Sequence, residues 1–339
     1  MPFQAWYSMR GIIVLVATAL TLTAVWAVPV VNDVSAGEST TFTEGTWTYS
    51  YNETISEYGV TSLGISGTMR LMSLGIDDIT KDGITIEALT FYQSVRANVT
   101  GYMHTQPPFP QRVDVVGTYA VTEYDYFDQE TGEALRSDVD QSLSLKNAID
   151  VRLTVMYYQE RNVTDFTSVV ASPEDYAAKM YLGLLSPGSR WTVEYHGISN
   201  SSGVDGQRPF EHTYVLNETE NCTYVGKESV DVAAGSYDCF KVRYQYPDYS
   251  ATTWISSKVG ADVRTEVFVA AGHQVTTTLL WYDIGRNGAE DASLSWVAMG
   301  AALAVATIAI VVLVVHVTRK RPRAPTGQEG MREGGVDRI

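Results

Sequence analysis

Phe240-Lys241-Val242-Arg243-Tyr244-Gln245-Tyr246 alternates apolar and polar residues with a period of two. Successive side chains on a strand point to opposite faces, so this spacing predicts a strand with one buried and one wet face. The same period recurs upstream in Val230-Asp231-Val232 and downstream in Val263-Arg264-Thr265-Glu266-Val267. Val275 to Tyr282 (VTTTLLWY) alternates less cleanly, but it is rich in the β-branched and aromatic residues that favour strands. Turn signals separate such runs. Ala233-Ala234-Gly235-Ser236 is one, and Asp82-Gly83, between two apolar runs, is the dipeptide of a two-residue hairpin. The chain reads as mainly β.

Helix signals are scarce. Ser172-Pro173-Glu174-Asp175-Tyr176, running on to Leu185, offers an N-cap serine, a proline at the first helical position and acids in the first turn. Pro187-Gly188 would end it. This short helix is expected to link two halves, over residues 169–187.

An internal repeat supports two halves. Gly45-Thr46-Trp47-Thr48-Tyr49 resembles Gly188-Ser189-Arg190-Trp191-Thr192-Val193-Glu194-Tyr195, allowing for inserted residues. Phe127 to Val139 (FDQETGEALRSDV) aligns without gaps to Ile255 to Val267 (ISSKVGADVRTEV). Gly132 then matches Gly260, Arg136 matches Arg264, and Asp138 matches Glu266. A glycine there suits a tight turn between strands. The expectation is a first β unit over 37–168 and a second over 188–286.

Residues 225–244 (VGKESVDVAAGSYDCFKVRY) and 254–266 (WISSKVGADVRTE) carry a recognisable pattern. It resembles a group of archaeal and bacterial exported domains that look related to lipoprotein-carrier (LolA-like) half-barrels. The matching residues are Val232, Gly235, Tyr237, Cys239, Lys241, Val242, Trp254, Gly260, Val263, Arg264 and Glu266. Ile255 replaces the group's usual aromatic, and Ala261-Asp262 departs from the common spacing by one residue. The resemblance covers about 100 residues well and the first unit only faintly. It implies two tandem curved antiparallel sheets, each wrapping an apolar face. It implies no reaction.

Hydropathy places the chain at a membrane. Trp296 to Thr318 (WVAMGAALAVATIAIVVLVVHVT) is 23 residues without Asp, Glu, Lys or Arg. As a helix it spans about 34 Å, enough for the hydrocarbon layer. RKRPR follows at once, a stop-transfer cluster that marks the cytoplasmic side and opens a basic tail over 319–339. At the other end, Arg10 precedes the apolar run 11–31, within a segment 1–36 that reads as a signal peptide or a signal anchor. Both options put the β units outside, joined to the C-terminal transmembrane helix by a stalk over 287–295. The expected location is the cell membrane, single-pass, or two-pass if the signal is retained.

Six of the nine asparagines stand in N-x-S/T: Asn52, Asn98, Asn162, Asn200, Asn217 and Asn221. Ser and Thr density alone predicts about two of nine, so the excess points to glycan acceptors on an exported chain. Only two cysteines occur, Cys222 and Cys239, both in the exported part. In an oxidising compartment their simplest expected state is a disulfide.

Charge and motifs narrow the function. The net charge is −15, and the basic tail makes the exported part more acidic still. Such a surface repels nucleic acid. The sequence holds no G-x-S-x-G, HExxH, P-loop or GxGxxG. His104, His196, His212 and His273 do not stand at ligand spacing from one another. Asp125, Asp128 and Glu130 read as a solvated acidic face, and the dense Tyr and Trp as core. No catalytic, cofactor or metal residues are assigned. The expectation is a non-catalytic envelope or binding protein. Its partners would be the lipid bilayer, through the C-terminal helix, and an apolar ligand, a glycan or an envelope protein. A membrane-tethered lipid carrier and a carboxylate-dependent hydrolase are the alternatives.

Overall fold

The computed structural model describes residues 45–57, 61–81, 83–104, 111–128, 134–148, 154–170, 186–205, 208–246, 249–256, 258–270 and 272–284. Twelve strands account for nearly all of them. They are β1 (Gly45–Glu57), β2 (Thr61–Lys81), β3 (Ile84–His104), β4 (Arg112–Asp128), β5 (Ala134–Asn147) and β6 (Thr154–Val170), then β7 (Arg190–Asp205), β8 (Arg208–Val232), β9 (Gly235–Gln245), β10 (Ser250–Ser256), β11 (Ala261–Ala270) and β12 (His273–Ile284). Each strand pairs antiparallel with its sequence neighbours, and β12 pairs with β1. The result is one closed barrel.

That closure corrects the expectation of two separate half-barrels. The two six-strand halves do not stand alone: β6 pairs with β7 over most of its length, and β12 pairs with β1. An open six-strand sheet would leave two edges of unpaired backbone groups, and joining both pairs of edges removes all four. The duplicated segments fall at equivalent places in the two halves. Trp47 lies in β1 and Trp191 in β7, while the aligned turn segments join β4 to β5 and β10 to β11. Gly260 has the positive φ (68°) that the second of these turns requires. The Asp82-Gly83 hairpin is also present: Lys81 pairs with Ile84, and Gly83 has φ 78°.

Eight strands enclose a volume that ordinary side chains fill, and twelve enclose more. This chain fills the excess with rings. Trp47, Tyr49, Tyr51, Tyr119, Tyr195, Tyr244, Phe91 and Phe127 are all completely buried. Aliphatic residues such as Leu63, Ile65, Val95 and Val267 pack between them. Trp47 Nε1 donates to the carbonyl of Val259 at 3.1 Å, tying β1 to the turn before β11.

The outward face of β1 is polar: it presents Thr46, Thr48, Ser50, Asn52, Thr54 and Ser56, against Trp47, Tyr49, Tyr51, Glu53 and Ile55 inside, while single apolar residues such as Ile84, Val215, Phe268 and Trp281 are exposed on other strands. A barrel that spans lipid has the opposite polarity, apolar outside. Among the described residues no helix is long and apolar enough to cross a membrane. The signal segment, stalk, transmembrane helix and basic tail lie outside the described residues, as does the expected helix Ser172–Leu185. Val169 and Val170, at the start of the expected linker, belong to β6.

Candidate functional site

β4 builds an unusual interior. Its inward positions run Val121, Glu123, Asp125, Phe127, so two carboxylates stand in the core between two apolar anchors. This overturns the reading of Asp125 as part of a solvated acidic face. Gln93 on β3 pairs directly with Glu123, and its Nε2 donates to Glu123 Oε2 at 3.4 Å. Ser137 on β5 pairs with Asp125, and its hydroxyl interacts with both carboxylates. Arg161 on β6 supplies the positive charge, and it is 3% exposed.

Burial dominates the electrostatics. It pushes the Glu123 carboxyl up to about 7, against the opposing pull of Arg161 and of the Ser137 hydrogen bond. Burial and the Glu123 charge together raise Asp125 well above the usual carboxylate range. Arg161 is pulled below its ordinary value by burial, while Tyr214 and the two carboxylates hold it up.

A second buried centre lies at the β12–β1 seam. His273 Nε2 is 3.0 Å from Glu53 Oε1, and Tyr51 donates to Glu53 Oε2 at 2.9 Å. Burial raises Glu53, and contacts with His273 and Tyr51 partly offset this. Burial raises Tyr119 well above the usual phenol range, with added contributions from the Glu53 charge and, least, from Glu123. Its hydroxyl accepts from Gln141 Nε2 at 2.8 Å. A third buried carboxylate, Glu220, accepts from Tyr195 at 3.0 Å and from Tyr246. The abundance of tyrosine thus has a second reason besides core volume, since inward hydroxyls partner the buried acids.

A groove of about 320 Å³ crosses the outer face of β5 to β8, with Asp138, Asp140, Glu160, Asn162, Asn200 and Glu211 in its lining. Partial burial, with repulsion from Glu160 and Asp138, raises the Asp140 carboxyl. Arg136 pairs with Asp138 at 2.8 Å. Among the described residues, no three His, Cys, Asp or Glu side chains gather as a metal-binding group.

All six sequon asparagines lie on strands with their side chains outward, and none is fully buried. Asn162 and Asn200 are direct cross-strand neighbours inside the groove. Asn162 donates to Asp138 Oδ1, whereas Asn200 accepts from Thr213 at 2.8 Å.

The cysteines correct the expected disulfide. Both are buried thiols. They sit on neighbouring strands but far out of register, Cys222 facing Tyr244 and Cys239 facing Glu228. The offset is five or six residues, roughly 17–20 Å along the ladder, against about 6 Å between the Cα atoms of a bridged pair.

Sequence reasoning missed Glu53, His273, Glu123, Asp125, Arg161 and Gln93. Glu53 and His273 are 220 residues apart and meet only because the barrel closes. For Glu123 and Asp125 a signal existed, since period two from Val121 to Phe127 includes them on the apolar face.

No family model matches the chain, and no curated protein sequence matches it. A solved structure that does match is the crystal structure of the hypothetical lipoprotein YmcC from Escherichia coli (K12). It is 14% identical, and the match covers 50% of this chain and 80% of that chain at a TM-score of 0.24. At that score the likeness supplies no argument about fold or function.

Proposed function

We propose that this chain is a non-catalytic surface protein whose barrel stands in water outside the cytoplasm, held by the C-terminal helix Trp296–Thr318. One observation carries the reading: all six sequon asparagines face outward on a closed barrel whose interior is filled by buried side chains. A partner therefore meets the protein on its outside. The groove over β5 to β8 offers carboxylates, amides and hydroxyls, which suit a glycan or a polar segment of an envelope protein.

The carrier alternative needs a concave cavity lined by apolar side chains, whereas among the described residues rings and aliphatic side chains pack the barrel interior. The hydrolase alternative needs two converging acids in a cleft that water reaches. Glu123 and Asp125 do converge, but each is 2% exposed. Crosslinking intact cells with a membrane-impermeant reagent tests the proposal. It should trap an envelope partner through the barrel, and Glu160→Lys with Glu211→Lys in the groove should reduce the yield. Turnover by the purified protein in a broad hydrolase screen, abolished by Glu123→Gln, would contradict it.

A further inference from the structure

Two cross-strand rows run side by side over the outer face of β5 to β8, and both line the groove. In the first, Asp138, Asn162, Asn200 and Thr213 are direct partners from strand to strand. Its own hydrogen bonds close it, from Asn162 to Asp138 and from Thr213 to Asn200. In the second row the direct partners are Asp140, Glu160, Ser202 and Glu211. Three acids and one hydroxyl make this row rich in acceptors. Asp140 and Glu160 are like charges set directly opposite each other, an unfavourable pairing. Asn200 is exposed and roots a sequon whose third residue is Ser202, so one sequon joins the two rows. The Thr213 bond, at 2.8 Å, holds the Asn200 amide oxygen on the β8 side. Oδ1 and Nδ2 diverge from one carbon. Nδ2, the atom that carries an N-linked glycan, therefore turns away from β8, toward β6 and the acids of the second row.

We propose that the glycan on Asn200 lies in this groove over Asp140 and Glu160, so that the groove admits a partner only on chains whose Asn200 is bare. The inference rests on the reading of the barrel as an exported, glycosylated surface. Sugar hydroxyls donate hydrogen bonds, and carboxylates are the strongest acceptors for them. A sugar tethered at Asn200 meets the groove at an effective concentration on the order of millimolar, ahead of a free partner. Asn162 is the poorer root, being half-buried with its amide donating to Asp138. Glycan occupancy at one asparagine thereby regulates the groove.

The test is carboxyl footprinting of the full-length protein, purified in detergent from its native membrane. A carbodiimide with glycine ethyl ester labels accessible carboxylates, and peptide mass spectrometry reads both the labels and the glycans. Asn200→Gln and Ser202→Ala each remove this sequon. Each should raise labelling of Asp140 and Glu160 several-fold over the wild type. Thr219→Ala, which removes the Asn217 sequon instead, should leave their labelling unchanged. Equal labelling in wild type and both groove variants overturns the proposal, as does an equal rise in Thr219→Ala. Asn200 found bare while other sequons carry glycans overturns this proposal alone. All six sequons found bare overturns it together with the reading of a glycosylated surface.

Discussion

His273 Nε2 and Glu53 Oε1 face each other at 3.0 Å across the seam where the last strand meets the first, and both side chains are sealed from solvent. This contact fastens the closing seam of the barrel between residues 220 apart in the sequence. Removing one partner leaves the other buried with nothing to answer it, which costs about 3–5 kcal/mol. Glu53→Leu and His273→Leu should therefore each destabilise strongly in denaturant unfolding. The double variant should recover part of the loss, because no lone charge then remains. Strictly additive losses would show that the two groups do not act as a pair.

The Glu123 carboxyl fixes the sign of a pH dependence. Its folded value is raised from 4.5 to about 7, so its contribution to stability is fully present below 4.5 and is lost as pH rises through 7. The shift corresponds to roughly 3 kcal/mol as an upper bound. Unfolding free energy should fall across this window, and Glu123→Gln should flatten the fall.

Cys222 and Cys239 should count as two thiols per chain with a thiol reagent once the protein is unfolded, and as none while it is folded. Burial together with Asp262, Asp238 and Glu228 pushes the Cys239 thiol up to about 12, which suppresses the reactive thiolate. Electrophoretic mobility should be the same with and without reductant. A shift on reduction would restore the disulfide.

Trp47 fills the barrel next to Gly45. A Cβ on Gly45 would come within 2.0 Å of the Trp47 ring. Gly45→Ala should thus destabilise although it adds one methyl group, and Trp47→Ala should cost about 3–5 kcal/mol through the cavity it opens. Thermal melts of the two variants check both.

Peptide mass spectrometry of protein from its native membrane should find glycans on Asn52, Asn98, Asn200, Asn217 and Asn221. Asn162 should carry little, since it is half-buried, its amide donates to Asp138, and it directly faces Asn200. Full occupancy at Asn162 with none at Asn200 would reverse this ordering.

The strands were legible where apolar and polar residues alternate simply, as from Val242 to Tyr246, and the hairpin at Asp82-Gly83 was legible from its turn chemistry. Closure was not, because the pairing of β12 with β1 depends on summed twist and stagger rather than on any local spacing. The interior acids were hidden by their own neighbours. In Glu123-Tyr124-Asp125-Tyr126 the rings attract an inward assignment, yet Val121 and Phe127 set a register that turns Tyr124 out and Glu123 and Asp125 in. The cysteines misled because number and compartment favour a bridge, while strand register decides distance.

The most direct measurement of the central claim is protease shaving of intact cells, followed by detection of the barrel and of the 319–339 tail with separate antibodies. Cleavage between Ile284 and Trp296 should release the folded, glycosylated barrel into the medium while the tail stays with the cells. A barrel that remains cell-associated and uncut under conditions that shave known surface proteins would contradict the account.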